Sequence, residues 1–269
     1  MGQVVGLIAG SGNLPELLAH EARKKGQRVA ACAIKGETDQ GVETWADVVE
    51  WIRLGELGRV IRFFKREGVR DTLMGGKITK TNLFQGHIHP DLEMIRVLAK
   101  TRDHSDDSLL GGIASFLNEE GVSVLDLTAF LTEEVLPQKG VLSRRRPSKG
   151  ETEDIEYGWR LAKEIGRLDI GQTVVVKKKA ILAVEAIEGT DQAILRGGSL
   201  AGGDVVVVKV AKPKQDMRFD VPTLGLGTLG AMVRARAQAL AFEAGKTILL
   251  DRKCFLEGAN REDMAIVGL

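Results

Sequence analysis

Apolar residues in the first half of the chain come in short blocks that alternate with stretches of helical spacing. Gln3 to Ala9 is an apolar run ending in Gly10-Ser11-Gly12-Asn13. Leu14 to Lys25 then reads as a helix, with Pro15 suited to its first turn and Gly26 to its exit. Arg28 to Ile34 reads as a buried strand, and Glu56 to Glu67 carries Val60, Ile61, Phe63 and Phe64 on or near one helical face. Asp71 to Met74 is a further strand, broken by Gly75-Gly76. Asp91 to Ala99 and Asp107 to Asn118 are helical in pattern, and Ser123 to Leu127 is strand-like. Strand, helix, strand with short connections predicts parallel pairing, and so an α/β domain with a Rossmann-like parallel sheet.

The pattern then breaks. Leu136 to Gly140 and Ser143 to Gly150 are polar, basic and rich in Pro and Gly. The predicted organisation is a first domain over 1–136, a linker over 137–150 and a second domain over 151–269. In the second part, Glu153 to Ile165 reads as a helix. Gln172 to Lys177 and Ala180 to Ala186 read as strands around a lysine-rich turn. Asp204 to Val210 is rich in β-branched residues and predicts a buried strand. Thr228 to Glu243 predicts a helix stopped by Gly245, and Thr247 to Leu250 and Met264 to Val267 predict further strands. This half is expected to be a mixed α/β domain.

Composition narrows the function classes. The 269 residues are 43% hydrophobic and 28% charged, with a formal net charge of +1. That balance gives no field for nucleic acid, so any anion site must be local. Cys32 and Cys254 sit beside apolar residues at a spacing that fits neither a disulfide framework nor a zinc site. Both are expected to be buried thiols in a reducing compartment. No signal-peptide pattern is seen at the start, and no run approaches the roughly 20 apolar residues of a membrane span. The expectation is a cytoplasmic protein.

Several clusters could carry chemistry, each with a plainer reading beside it. Gly10, Gly12 and Asn13 link a strand to a helix start, where backbone amides favour a phosphate; the alternative is a tight turn. The dinucleotide fingerprint is incomplete, since Pro15 takes its third glycine position and Ala33-Ile34-Lys35 offers no acid for a ribose. Gly76 and Lys77 end another strand, so Lys77 could meet a phosphate or be solvated. Asp106 and Asp107 could cap a helix or hold Mg²⁺. His87-Ile88-His89 reads as a surface loop and Arg144-Arg145-Arg146 as a solvated basic run, with metal and membrane contact as the respective alternatives. Glu185, Glu188, Gly189, Thr190 and Asp191 follow a strand, either as helix caps or as a site. If Gln215 to Pro222 is extended, Asp216, Arg218 and Asp220 share one face. Arginine forks onto phosphate oxygens and a carboxylate holds metal or orients water; the alternative is an ion pair bracing an edge.

Taken in order, these residues resemble the UDP-2,3-diacylglucosamine pyrophosphatases of the type unrelated to the binuclear metallophosphoesterases. The resemblance spans essentially the whole chain. It rests on Gly6 to Gly10, Asp106 to Leu110, Arg160 to Gln172, Ala183 to Asp191, and Lys212, Pro213, Gln215, Arg218, Asp220 and Pro222. It implies that water cleaves the diphosphate of a UDP-linked diacylglucosamine lipid, giving UMP and 2,3-diacylglucosamine 1-phosphate in lipid A assembly. It also implies Mg²⁺, a substrate lying between two domains, and a peripheral visit to the inner-membrane surface. The family's essential aspartate matches Asp220, while Asp216 stands where relatives also carry Glu. Asp220 and Arg218 are therefore the expected catalytic residues, and Asp220 with Asp107 the metal ligands. Gly10, Gly12, Asn13, Gly76, Lys77, Glu185, Gly189, Thr190, Asp191, Lys212 and Gln215 are the expected substrate contacts. The rival readings are a lipid-nucleotide carrier without turnover and a nicotinamide oxidoreductase.

Overall fold

The apolar runs of the first half pair side by side in one parallel sheet. The computed structural model describes residues 3–78, 89–101 and 106–269, with the side chains of 106 and 107 outside that description. The chain forms two units. The first runs to Leu131 and takes in Asp216–Phe219 from late in the chain; the second comprises Thr132–Gln215 and Asp220–Leu269.

In the first unit the order is β1 (Val4–Ala9), α1 (Leu14–Lys24), β2 (Arg28–Ile34), α2 (Val42–Trp45), β3 (Val48–Ile52), α3 (Leu57–Glu67), β4 (Asp71–Gly75), α4 (Leu92–Lys100), α5 (Asp106–Glu119) and β5 (Ser123–Val124). The strands are all parallel in the order β3-β2-β1-β4-β5. Leu7 sits opposite both Ala31 and Leu73. A parallel sheet is covered on both faces, so β2 is buried at six successive positions instead of alternating. Phe63 and Phe64 of α3 pack into that cover with Val97 and Leu117. α3 stops at Gly68, whose φ of 74° lets its amide return to the carbonyls of Phe64 and Lys65. Strand order reverses between β1 and β4. In open α/β sheets that switch point places ligands beyond the carboxyl ends of the strands.

The second unit runs β6 (Gly140–Val141), α6 (Lys149–Arg167), β7 (Thr173–Lys177), β8 (Ala180–Val184), α7 (Thr190–Ala201), β9 (Val205–Lys209), β10 (Thr223–Leu224), α8 (Leu226–Arg234), β11 (Ala237–Phe242), β12 (Ile248–Leu249), α9 (Arg252–Arg261) and β13 (Ala265–Gly268). Its main sheet has the order β6-β13-β11-β9-β7-β8. β9, β11 and β13 are parallel, whereas β7 runs against both β9 and β8. β8, β9, β11 and β13 therefore send their carboxyl ends to one edge. Lys178 and Lys179, both left-handed with φ of 51° and 58°, make the tight turn between β7 and β8. The buried Asp154 carboxylate accepts both of their amides, at 2.8 and 2.6 Å.

Residues 137–150 lie in the second unit, where β6 pairs with β13 and Ser148 with Glu151 forms a capping box on α6. Within the basic run, Arg144 and Arg146 are exposed, but Arg145 turns inward. It forks onto Glu151 at 2.8 and 3.0 Å and donates to the carbonyls of Gln238 and Asp263.

The predicted helix over Thr228 to Glu243 is corrected. It ends at Arg234, Arg236 turns left-handed with φ of 50°, and Ala237–Phe242 becomes a strand between β9 and β13. Leu240 and Phe242 face one core and Ala239 and Ala241 the other. A strand buried on both faces has no polar alternation, and its alanines imitate helical propensity.

Candidate active site

The loops after β1 and β4 zip together at the switch point of the first unit. The Gly10 amide donates to the Gly75 carbonyl, and the Ser11 amide and hydroxyl both donate to the Lys77 carbonyl, all at 2.8 Å. The Lys77 amide returns to the Ser11 carbonyl at 3.0 Å. A Cβ on Gly10 would stand 2.6 Å from the Lys77 carbonyl oxygen. Gly76 has a φ of 96°, and a Cβ there would lie 2.8 Å from the carbonyl carbon of Gly10. These two glycines answer a packing demand, and the Gly10 amide is not available to an anion. The Lys77 side chain is exposed.

Beside this zipper lies a cavity of about 440 Å³ between the loops that follow β1 and β2. Gly12, Asn13 and Glu16 line one side, and Glu37, Asp39 and Trp45 the other. Thr38 fixes the second loop: its hydroxyl accepts the Ile34 amide at 2.8 Å and donates to the Ala9 carbonyl at 2.5 Å. Sequence reading missed Glu37 and Asp39, because it looked for an acid at Ala33-Ile34-Lys35 and stopped two residues short.

The carboxyl edge of the second sheet carries a denser polar network. Glu185 and Lys209, only 8% and 3% exposed, share the Thr190 hydroxyl. That hydroxyl donates to Glu185 Oε1 and accepts from Lys209 Nζ, each at 2.7 Å. Asp191 accepts the Thr228 hydroxyl at 2.9 Å, which joins the start of α7 to the start of α8. Thr190 and Asp191 thus do not cap α7; Gly189 precedes it with φ of 82° and no side-chain cap. Glu185 Oε2, Gln172 Oε1 and Thr173 Oγ1 are buried without a hydrogen-bond partner among the described residues. Orphaned acceptors of this kind fit an ordered water or a polar ligand with donors. Nearby, Glu243 binds Lys163 and accepts the Ala211 amide at 2.9 Å. Burial pushes the Glu243 carboxyl up, but bonds from Lys163, Lys246 and Ala211 outweigh it and hold the group below its ordinary range.

The extended segment expected over Gln215 to Pro222 is also corrected: it is a pair of turns, not a strand. Gln215 N–H closes one turn on the Lys212 carbonyl at 3.0 Å, and Phe219 N–H the other on Asp216 at 3.3 Å. Asp216, Arg218 and Asp220 therefore do not share a strand face. Asp216 takes the Arg218 guanidinium as a fork, Nε at 2.9 Å and Nη2 at 2.6 Å. The Arg218 bonds hold the Asp216 carboxyl low, and Asp216 in turn raises the guanidinium. Met217 accepts the Leu127 amide at 2.9 Å within the first unit. Asp220 belongs to the second unit, where Gln215 Nε2 donates to its carbonyl and, at 2.6 Å, to its Oδ2. Gln215 Oε1 accepts the Lys212 amide at 2.8 Å, and Lys212 Nζ reaches Asp169 at 2.6 Å. One glutamine side chain thus closes the whole loop onto Asp220.

Other expected residues fall elsewhere. His87, Ile88 and the side chains of Asp106 and Asp107 lie outside the described residues, as does any metal role for those aspartates. His89 uses its amide on the Leu54 carbonyl. Cys32 is buried, and desolvation drives its thiol far above the ordinary range. Cys254 is exposed, contrary to expectation, because α9 turns Phe255, Gly258 and Ala259 inward instead. Among the described residues no group of three or more His, Cys, Asp or Glu side chains is placed to hold a metal.

Residues 4–134 match the family model described as the LpxI N-terminal domain, and residues 138–267 match the LpxI C-terminal domain. The UDP-2,3-diacylglucosamine pyrophosphatase LpxI of Caulobacter vibrioides is 30% identical over 278 residues, covering 98% of this chain and 97% of that protein. Among solved structures, phosphoribosylglycinamide synthetase from Anaerococcus prevotii gives a TM-score of 0.26 at 10% identity, over 72% of this chain and 34% of its own. The biotin carboxylase domain of the Hydrogenobacter thermophilus 2-oxoglutarate carboxylase gives 0.27 at 13%, over 73% and 41%. At those scores the likeness carries no argument. Two domain matches in the right order, and a relative aligned from end to end, place this chain in the LpxI family.

Proposed function

We propose that this chain hydrolyses the diphosphate of UDP-2,3-diacylglucosamine, releasing UMP and 2,3-diacylglucosamine 1-phosphate in lipid A biosynthesis. The observation that carries the reading is end-to-end similarity to a relative named for that activity. The geometry of the second unit supports it. Asp220 accepts a hydrogen bond from Gln215, on a loop continuous with the polar carboxyl edge of the sheet. In that reading Asp220 orients the attacking water. Arg218 and Lys77 offset phosphate charge, which is the dominant form of help in phosphoryl transfer. Gly12 and Asn13 contact the nucleotide. Thr190, Asp191, Gly189 and Glu185 contact the polar part of the substrate beside the joined starts of α7 and α8.

Mg²⁺ belongs to the same proposal. This ion usually takes one or two carboxylates, with phosphate oxygens and waters completing its shell. Asp220 and Asp107 are the carboxylates proposed to hold it, with the substrate's diphosphate completing the shell. When bound, it would offset the negative charge of the diphosphate. No helix among the described residues is long and apolar enough to cross a membrane. Peripheral access to the lipid from the cytoplasmic face is part of the proposal, supported by Leu168, Ile170 and Ile187, apolar side chains that are 60%, 51% and 98% exposed.

The test is release of UMP from UDP-2,3-diacylglucosamine with and without Mg²⁺. Wild type should turn over only with the metal, and Asp220→Ala should still bind but lose about 100-fold or more in rate. Near-normal turnover by Asp220→Ala removes its catalytic role. Tight binding by wild type without UMP release would favour a carrier instead.

A further inference from the structure

We propose that Asp216 is a positioning residue: it takes the side-on edge of the Arg218 guanidinium and so aims the end-on edge as a fork for diphosphate oxygens. The proposal rests on the hydrolase reading for the identity of the anion, and gives Asp216 a role which that reading leaves open. Every part of the device lies in the first unit, on the Asp216–Phe219 segment and the residues that anchor it.

The guanidinium is ordered before any ligand arrives. Arg218 Nε donates to Asp216 Oδ1 at 2.9 Å, and Nη2 donates to Oδ2 at 2.6 Å. The same Oδ1 accepts the Arg218 amide at 3.1 Å, so one carboxylate fixes both the backbone and the head of the residue. The guanidinium carbon lies 5.3 Å from the centre of the Phe219 ring, in cation–π range. Between them, the Met217 carbonyl is tied to the amide of the buried Leu127. Two of the five guanidinium donors are spent on Asp216. The end-on edge, formed by Nη1 and Nη2, makes no further hydrogen bond among the described residues, and the side chain is 35% exposed. That edge matches two oxygens of a phosphate. An arginine already fixed in its binding rotamer loses little further entropy when it binds.

Charge alone gives the opposite expectation. Asp216 neutralises Arg218, and Asp126 adds a second negative charge close enough to act on the guanidinium. If Asp216 were only a neighbour, or a competitor that a phosphate displaces, its removal would leave a barer cation and tighten anion binding. If it positions the guanidinium, its removal lets Arg218 spread over its rotamers and weakens binding despite the lost repulsion. The sign of the change therefore decides between the two.

The experiment titrates the full chain with UDP by calorimetry, with a melting curve for each variant. Asp216→Asn keeps an oxygen for the Arg218 amide and Nε but sets an amide group against Nη2, which breaks the fork and spares the turn. Asp216→Asn and Asp216→Ala should each bind UDP about 10-fold more weakly than wild type, as expected for a lost charge-assisted bond. Asp216→Glu keeps a carboxylate and should stay within about threefold of wild type. In an Arg218→Ala background, Asp216→Asn should add less than about twofold, because the partner it positions is gone. The proposal is overturned if Asp216→Asn tightens UDP binding or leaves it within about twofold, if its full loss persists without Arg218, or if wild type binds no UDP. Failure of the hydrolase reading would show separately, as wild type that binds UDP in this pattern yet releases no UMP from UDP-2,3-diacylglucosamine.

Discussion

Gln215→Ala removes a side chain that grips the proposed catalytic aspartate, and its cost can be worked from the bonds it breaks. Gln215 donates twice to Asp220, once to the carbonyl and once to Oδ2, and accepts the Lys212 amide. The bond to the carboxylate is charge-assisted, worth about 1.5–3 kcal/mol. If that energy serves to hold Asp220 in its reactive geometry, its loss appears in kcat at tenfold per roughly 1.4 kcal/mol. The expected fall is about 10- to 100-fold in kcat, with KM changing little. The assay is UMP release at saturating UDP-2,3-diacylglucosamine, with a melting curve run beside it. Gln215→Glu separates positioning from general loosening. It keeps the size and the acceptor for Lys212 but sets a second carboxyl against Asp220. Two facing carboxyls share a proton at a raised pKa, so the pH–rate profile should gain a limb above the usual carboxylate range. Gln215→Ala should lack that limb. If Gln215→Ala keeps kcat within twofold of wild type while Asp220→Ala is inactive, the aspartate needs no clamp and the reasoning fails.

Two further outcomes concern stability. Asp154→Ala strands the amides of Lys178 and Lys179 in a left-handed turn and should cost about 2–3 kcal/mol in urea denaturation, with activity intact below the transition. Glu243 has a depressed folded pKa, so its stabilisation is full above its ordinary value near 4.5 and is lost as pH falls through the lower folded value. Glu243→Gln should flatten the acid limb of the stability–pH curve below the ordinary value near 4.5 and leave it parallel to wild type above that. An unchanged acid limb would mean that Lys163 and Lys246 do not hold the charged form.

The fold was legible wherever a helix kept one apolar face or turn residues bounded a short apolar run. α1, β2, α3 and β4 could be placed to within a residue, because turns such as Gly26 and Gly68 end them sharply. Legibility failed where a doubly buried strand follows a helix without such a boundary. Ala237–Phe242 carries no polar alternation, so its alanines read as helix until Arg236 is seen to turn left-handed. The stretch Asp216–Phe219 failed for a different reason. Its alternating charges mimic a strand face, yet the Asp216–Arg218 fork is a contact within a turn, across only two residues.

The same distinction separates the two glycine-loop signals at the first carboxyl edge. Gly10 and Gly76 attract attention as a phosphate signature, but the contacts a Cβ would make show that each loop needs its glycine to let the other approach. A packing demand and a ligand demand leave the same letter in a sequence. What tells them apart is where the amides go, and the amides of Gly10, Ser11 and Lys77 all end on backbone carbonyls. Acids do follow the second strand, but later than the dinucleotide pattern expects: Glu37 and Asp39 come after the turn at Gly36, whose φ is 82°. Pro15 still takes the third glycine position, where that pattern needs close packing of helix on strand, so the departure from a nicotinamide-binding loop rests on the helix start alone.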